Sequence, residues 1–212
     1  MKILNLYSGI GGNRKLWNEV FPNAEITSLE LDIEIGKVYS QLFPKDKLIL
    51  GDAHEYLLNN YQNYDIVWSS PPCQSHSRMI RSGKNRNPRY PDMKLYEEII
   101  LLQNNFTGIY VVENVIPYYG ELIPAQKIGR HLFWSNVNLN GVSDVVRPKN
   151  FINQTTLQGR EHLMAWLGFD FEKVLYYEKN HCPAQVLRNC VHPKLGKDII
   201  IKCLEMGGRL KS

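Results

Sequence analysis

No apolar run in the 212 residues approaches the ~18 needed to cross a bilayer, and the opening MKILNLYSGIGG lacks a secretion-signal layout. These absences point away from a membrane or exported protein, and a cytoplasmic one is expected. Cysteine is scarce. Cys73, Cys182, Cys190 and Cys203 form no CxxC pair, which argues against a disulfide scaffold and a ribbon-type zinc site. His181-Cys182 and Cys190-Val191-His192 match no common zinc spacing, so no metal is expected. There is no GKS or GKT phosphate loop, and the GIGG at 9–12 lacks the third glycine of GxGxxG. Neither sign of charge dominates: 25 Lys+Arg against 21 Asp+Glu leave +4, which tolerates an anionic partner without demanding one. Repeats and low-complexity tracts are missing, and 43% hydrophobic with 22% charged residues is ordinary globular usage. A single domain over 1–212 follows from that length.

What is there alternates strands with helices. Residues 2–7, KILNLY, read as a short buried strand, followed by Glu25–Leu29, Lys47–Leu50, Tyr64–Ser69 and Gly108–Val112. Between them the spacing predicts helices over Ile33–Leu42 and from an Asp92 N-cap through Leu102. Leu16, Trp17 and Val20 also fall at helical spacing. The alternation weakens after Asn114, with a strand expected over Arg130–Val137 and a helix over Gly159–Leu167. A last helix should start at Pro193 and stop at Gly207-Gly208. Such an order implies an α/β fold with a doubly wound, mostly parallel sheet.

In such sheets ligands bind beyond the carboxyl ends of the strands. The residues standing there are Tyr7–Gly12, Glu30, Asp52, Pro72-Cys73-Gln74 and Glu113-Asn114. Glycines at the first turn let the backbone approach a ligand. Glu30, 21 positions after Gly9, is placed to accept from ribose hydroxyls. Without a phosphate loop, a nucleoside ligand fits better than a dinucleotide. Asp52 suits an adenine amino group, with an ordinary turn or cap as the plainer alternative. Cys73, behind a di-proline at a strand end, is held rigidly at the active edge. Nearby arginines and free backbone N–H groups should favour its thiolate. Glu113, at the end of the neighbouring strand, supplies a second chemical group.

At these residues the chain resembles a family. LYSGIGG at 6–12, Glu30, Gly51-Asp52, SPPCQSHS at 70–77 and VENV at 112–115 look like the ordered motifs of the 5-methylcytosine DNA methyltransferases. Gln126 with Arg130, Arg160–Phe169, and Gln185 with Arg188-Asn189-Cys190-Val191 continue the order. The resemblance implies the Rossmann-like methyltransferase sheet and S-adenosylmethionine as cofactor. It implies that Cys73 adds to carbon 6 of a flipped cytosine and that Glu113 holds the ring nitrogen and exocyclic amine. Asn114 would brace the cysteine loop, and Arg130 would contact the base's carbonyl oxygen, although the usual QxRxR reads QKIGR here. Tyr7, standing where the family has Phe, would pack on the cofactor, with Gly9 and Gly11 beside its methionine part. Glu30 would take the ribose and Asp52 the adenine. Leu31 occupies the place of a frequent Trp, and Asn189 and Val191 would close over the cofactor.

Residues 75–94 carry Arg78, Arg81, Lys84, Arg86, Arg89 and Lys94 against one acid, Asp92. With Cys73 at its root, that loop is expected to meet phosphates, and Gln74 and Ser75 to meet the substrate; a solvated surface is the plainer alternative. His76, His131 and His162 read as polar or core residues, and Phe133-Trp134 as strand packing. Where the family carries a large target-recognition domain, this chain has little between Arg130 and Arg160, with residues 138–153 as the reduced equivalent. The implied partner is double-stranded DNA, with a cognate restriction endonuclease in the same bacterial or phage-infected cell and the enzyme a monomer. Two rivals stay open: the same chemistry on tRNA, and a non-catalytic nucleic-acid-binding relic.

Overall fold

β1 (Lys2–Leu6) is apolar on both faces, Ile3 packing to one side and Leu4 and Leu6 to the other. A strand covered on both faces belongs inside a parallel sheet. In the computed structural model, which describes residues 1–81, 90–177 and 181–210 (80–81 and 207–210 as backbone only), β1 lies there. It pairs in parallel with β2 (Glu25–Glu30), and β2 pairs with β3 (Lys47–Leu50). On the other side, β4 (Ile66–Ser69) pairs in parallel with β1, and β5 (Ile109–Val115) with β4. β6 (Gln126–Ile128) and β7 (His131–Ser135) form an antiparallel pair, and β7 joins β5 antiparallel. The order is β3-β2-β1-β4-β5-β7-β6. The winding therefore reverses between β1 and β4, which opens a crevice at their carboxyl ends.

Helices cross between the parallel strands. α1 (Ile33–Leu42) starts at Asp32, whose carboxylate accepts from the N–H groups of Glu34 and Ile35. α2 (Ala53–Asn60) starts the same way at Asp52, accepting from His54 and Glu55. α3 (Lys94–Asn105) places Leu95, Ile99 and Leu102 on one buried stripe, against Leu57 of α2 and Val67 and Val112 of the sheet. Each such side chain contributes roughly 1.5–3 kcal/mol by burial, so Ile99→Asp would both lose that term and bury a charge. α4 (Leu157–Leu167) runs from a Thr156 cap to Gly168, whose φ of 66° ends it in the left-handed region. With α1 and the short α5 (Gln185–Arg188), α4 forms a satellite cluster around Ile10. α6 (Pro193–Leu210) covers the remaining sheet face with Leu195, Ile199 and Ile200, beside Trp17 and Phe133.

Several expectations need correction. The Leu16–Val20 spacing yields only a short 3-10 turn at Trp17–Glu19. Polar side chains bind that segment to the fold: Asn13 donates to Asn5 (2.8 Å), and Arg14 forms a buried pair with Asp46 (2.5 Å). α3 begins after Met93 rather than at Asp92, although Asp92 still accepts from the Lys94 N–H. α6 continues through Gly207-Gly208 to Leu210, since a glycine costs a helix only about 1 kcal/mol. α2 and β6 were not expected: α2 buries only Ala53, His54 and Leu57, and β6 has three residues, too few for a period.

Candidate active site

At the crevice lies a cavity of about 330 Å³. One wall is the turn after β1. Tyr7 takes a φ of 55°, and Gly9 one of 54°. The Gly9 N–H donates to Glu30 Oε2 at 2.8 Å, while Glu30 Oε1 accepts from the N–H groups of Leu31 and Asp32, both at 2.9 Å. Burial raises the Glu30 pKa above the usual carboxylate range against those three N–H donors, which pull it down. A Cβ at Gly9 or Gly51 would meet no atom within 4 Å, so both backbones face open space, and Ser8 Oγ is buried without a partner among the described residues. A close-fitting nucleoside ligand would use that space and that hydroxyl. Asp52 spends Oδ1 on capping α2 and leaves Oδ2 3.5 Å from Lys94 Nζ. The Glu55 N–H, with help from Lys94, holds its carboxyl below the usual range.

The other wall joins the ends of β4 and β5. Cys73 and Glu113 both line the cavity, with Pro71, Pro72 and Gln74. Asn114 donates from Nδ2 to the Pro71 carbonyl at 3.0 Å, tying the cysteine loop to β5. The loop is pinned on its far side by His76, buried, whose Nδ1 meets Tyr119 Oη at 2.6 Å. The Cys73 thiol is not poised as a thiolate, contrary to the sequence reading. Burial first, then the charge of Glu113, push it up to about 11, and no arginine among the described residues offsets them.

Of the residues singled out in the sequence, Tyr7, Gly9, Glu30, Leu31, Asp52, Cys73, Gln74, Glu113, Asn114, Asn189 and Val191 meet at this cavity. Gly11 does not: a Cβ there would strike Phe43 at 2.3 Å, so it packs away from the cavity, and Gly12 takes its place. Arg130 is exposed and outside the wall, because it sits on the Gly129 turn just before β7; His131, the next residue, faces Glu113 instead, with Nε2 3.9 Å from Oε1. Ser75 is occupied in structure, accepting from the Asp92 N–H (3.0 Å) and so closing the base of the loop. Arg78 is exposed on a 3-10 turn, the Arg81 side chain is not described, and Lys84, Arg86 and Arg89 lie outside the described residues. Phe133 and Trp134 do pack the two faces of the sheet. Among the described residues no group of three His, Cys, Asp or Glu side chains is placed to hold a metal ion, and no helix is long and apolar enough to cross a membrane.

Sequence reasoning gave no role of their own to Ser8, His131 or Arg188, although Ser8 and Arg188 lie within the motifs above, and it assigned Lys94 to phosphates; all four line the cavity. Adjacency was the available signal: Ser8 and Arg188 flank Gly9 and Asn189, and His131 follows Arg130. The buried network behind Tyr7, through Glu98 and His54, had no signal at all, because its members come from separate elements.

The strand order with an antiparallel β7, and a ligand crevice at the β1/β4 reversal, define the class as a Rossmann-like methyltransferase fold. Solved structures share it. The S. pombe Dnmt2 methyltransferase superposes with a TM-score of 0.61 at 13% identity, over 97% of this chain and 98% of that one. The Spodoptera frugiperda DNMT2 mutant superposes with 0.58 at 14% identity, over 96% and 99%. Residues 1–117 match the family model of the C-5 cytosine-specific DNA methylases, and the chain belongs to that family. It is 26% identical over 117 residues to the human tRNA (cytosine(38)-C(5))-methyltransferase, covering 49% of this chain and 30% of that protein. Over 116 residues it is 35% identical to the Type II methyltransferase M.FnuDI of Fusobacterium nucleatum, covering 54% and 32%. The match thus spans about a third of the length of these curated relatives.

Proposed function

We propose that the chain is a DNA cytosine methyltransferase, a single domain that makes 5-methylcytosine in duplex DNA through a covalent Cys73 adduct. The observation that carries this reading is one cavity holding Cys73 and Glu113 together with the glycine turn and Glu30. Tyr7, Gly9, Glu30 and Asp52 would hold S-adenosylmethionine, with Ser8 Oγ and the open faces of Gly9 and Gly51 fitting a nucleoside. Bound there, that group supplies an electrophilic methyl on a sulfonium.

The chain's own residues do the rest. Carbon 5 of cytosine is a weak nucleophile until sulfur adds at carbon 6. As Cys73 Sγ forms that bond, its proton leaves, and a proton is gained at ring nitrogen 3, where Glu113 stabilises the developing charge. Carbon 5 then takes the methyl and loses its own proton to solvent; as the carbon–sulfur bond breaks, ring nitrogen 3 gives up the proton it gained and sulfur regains one, restoring the thiol. Nothing in a stacked duplex exposes carbon 6, so the base must flip out. A second reading, the same transfer to tRNA, is favoured by the likeness to the tRNA methyltransferases and by the short 138–153 segment. Radiolabelled methyl transfer to duplex DNA and to tRNA, followed by bisulfite sequencing, tests both. 5-Methylcytosine in DNA is the expected result; methylation of tRNA alone would replace the first reading with the second, and none on either would end both.

A further inference from the structure

Behind the glycine turn sits a carboxylate that has no place in the cavity wall. Glu98 of α3 is wholly buried, at 0% exposure. An ion there needs donors on both oxygens. Oε1 meets Tyr7 Oη at 2.6 Å and His54 Nδ1 at 3.0 Å, and Oε2 accepts from Ser69 Oγ at 2.5 Å. The phenol is the donor in the first pair, because burial and then Glu98 itself hold its proton on. His54 Nε2 in turn lies 3.1 Å from Glu97 Oε2, so carboxylates face both ring nitrogens.

The three partners belong to three different arms of the cavity. Tyr7 is in the turn after β1, His54 follows Asp52 and Ala53 at the start of α2, and Ser69 ends β4 just ahead of Ser70 and Cys73. Packing of α3 on the sheet does not need this anion, since Leu95, Ile99 and Leu102 provide it. Tyr7 does need it. A bulky residue at φ 55° holds that backbone only when its surroundings fix it, and the hydroxyl bond to Glu98 anchors the far end of the ring.

We propose that Glu98 is a positioning residue, which sets the Tyr7 ring against the bound S-adenosyl group and ties the Asp52 and Cys73 arms to one buried point. This rests on the methyltransferase reading above.

The test is a double-mutant cycle on affinity for S-adenosylhomocysteine, read by calorimetry, with folding checked by thermal melting. Tyr7→Phe and Glu98→Ala should each weaken binding about tenfold, equivalent to about 1.4 kcal/mol, and the double variant should be no weaker than the worse single one, because both remove the Tyr7–Glu98 bond. Effects that multiply to about a hundredfold, or melting changes without any change in affinity, would overturn the proposal and leave Glu98 a support of the fold. Should Glu98→Ala not fold, Glu98→Leu, close in size and without an acceptor, paired with Tyr7→Phe repeats the cycle on the same bond. Wild-type protein that folds yet binds no S-adenosylhomocysteine would instead fail the methyltransferase reading itself.

Discussion

His131 stands diagonally from Glu113 across the β5/β7 ladder, its Nε2 3.9 Å from Glu113 Oε1. Arg147 Nη2 approaches the same nitrogen at 3.2 Å. A guanidinium only donates, so Nε2 accepts and the ring's proton resides on Nδ1. Arg147 is itself stacked on Phe151 at 4.9 Å, and burial lowers its pKa against the opposing charges of Asp144 and Glu113. The 138–153 segment therefore brings a cation, Arg147, close to Glu113 by way of His131, while Arg130 faces solvent. Arg147→Ala should slow methyl transfer at saturating DNA by about 10²-fold, the low end for losing a donor from a charge-stabilising site. Arg130→Ala should change it by no more than about twofold, as an exposed substitution. Single-turnover rates decide; equal losses would return Arg130 to the base.

The raised Cys73 thiol makes a separate claim. In the free protein it is protonated at pH 7, so alkylation by iodoacetamide should be slow and should climb with pH toward about 11. On DNA carrying 5-fluorocytosine the same sulfur should form a stable adduct, because fluorine blocks the last proton loss. Mass spectrometry should place it on Cys73, and it should vanish in Cys73→Ala. An adduct on Cys182, Cys190 or Cys203 would reassign the nucleophile.

Glu30 joins the glycine turn to the end of β2 through Gly9, and it lines the cavity as well. Glu30→Ala should weaken S-adenosylhomocysteine binding by ~1–3 kcal/mol, the cost of leaving paired polar groups unmatched. Glu30→Gln, which keeps an acceptor, should lose less. Calorimetry of both variants gives the comparison, and equal losses would mean that the charge, not the hydrogen bonds, carries the effect.

His54 links stability to pH. Its bond to Glu98, with the charges of Glu98 and Glu97, raises its pKa above the ordinary value, against burial and the opposing charge of Lys94. A raised histidine adds stability that is complete below the unfolded value, about 6.5, and fades as pH rises through the folded one. The melting-temperature gap between wild type and His54→Gln should be widest in acid below about pH 6.5 and should narrow as pH climbs. A gap independent of pH would show that His54 contributes by packing alone.

The strands were readable because β1, β2, β4 and β5 are short apolar runs that end on Tyr7, Glu30, Ser70 and Asn114, where polarity changes abruptly. Cys73 and Glu113 stood out for the same reason: reactive groups at adjacent strand ends. What stayed hidden depends on distance in sequence. Tyr7 and Glu98 are 91 residues apart and Arg14 and Asp46 are 32 apart, so no local period announces either bond. Arg130 misses the cavity wall by one residue, since β7 begins at His131 and its pairing turns that side chain toward Glu113. The thiolate expectation failed because charge was counted along the chain, whereas in the fold the sulfur is largely buried and faces an acid.

The contact between Gly12 and Cys190-Val191 has a consequence for biosynthesis. A Cβ at Gly12 would meet the Val191 carbonyl at 2.6 Å, and one at Gly196 would meet Asn13 at 2.2 Å. The glycine turn leaves the ribosome long before the backbone that closes over it. Until that backbone is made, the site is a half-built cleft that lacks the Cys190-Val191 wall. Conversely, two separately expressed pieces, split in the exposed stretch before α4, carry matching halves of one pocket, so cofactor itself would drive them together.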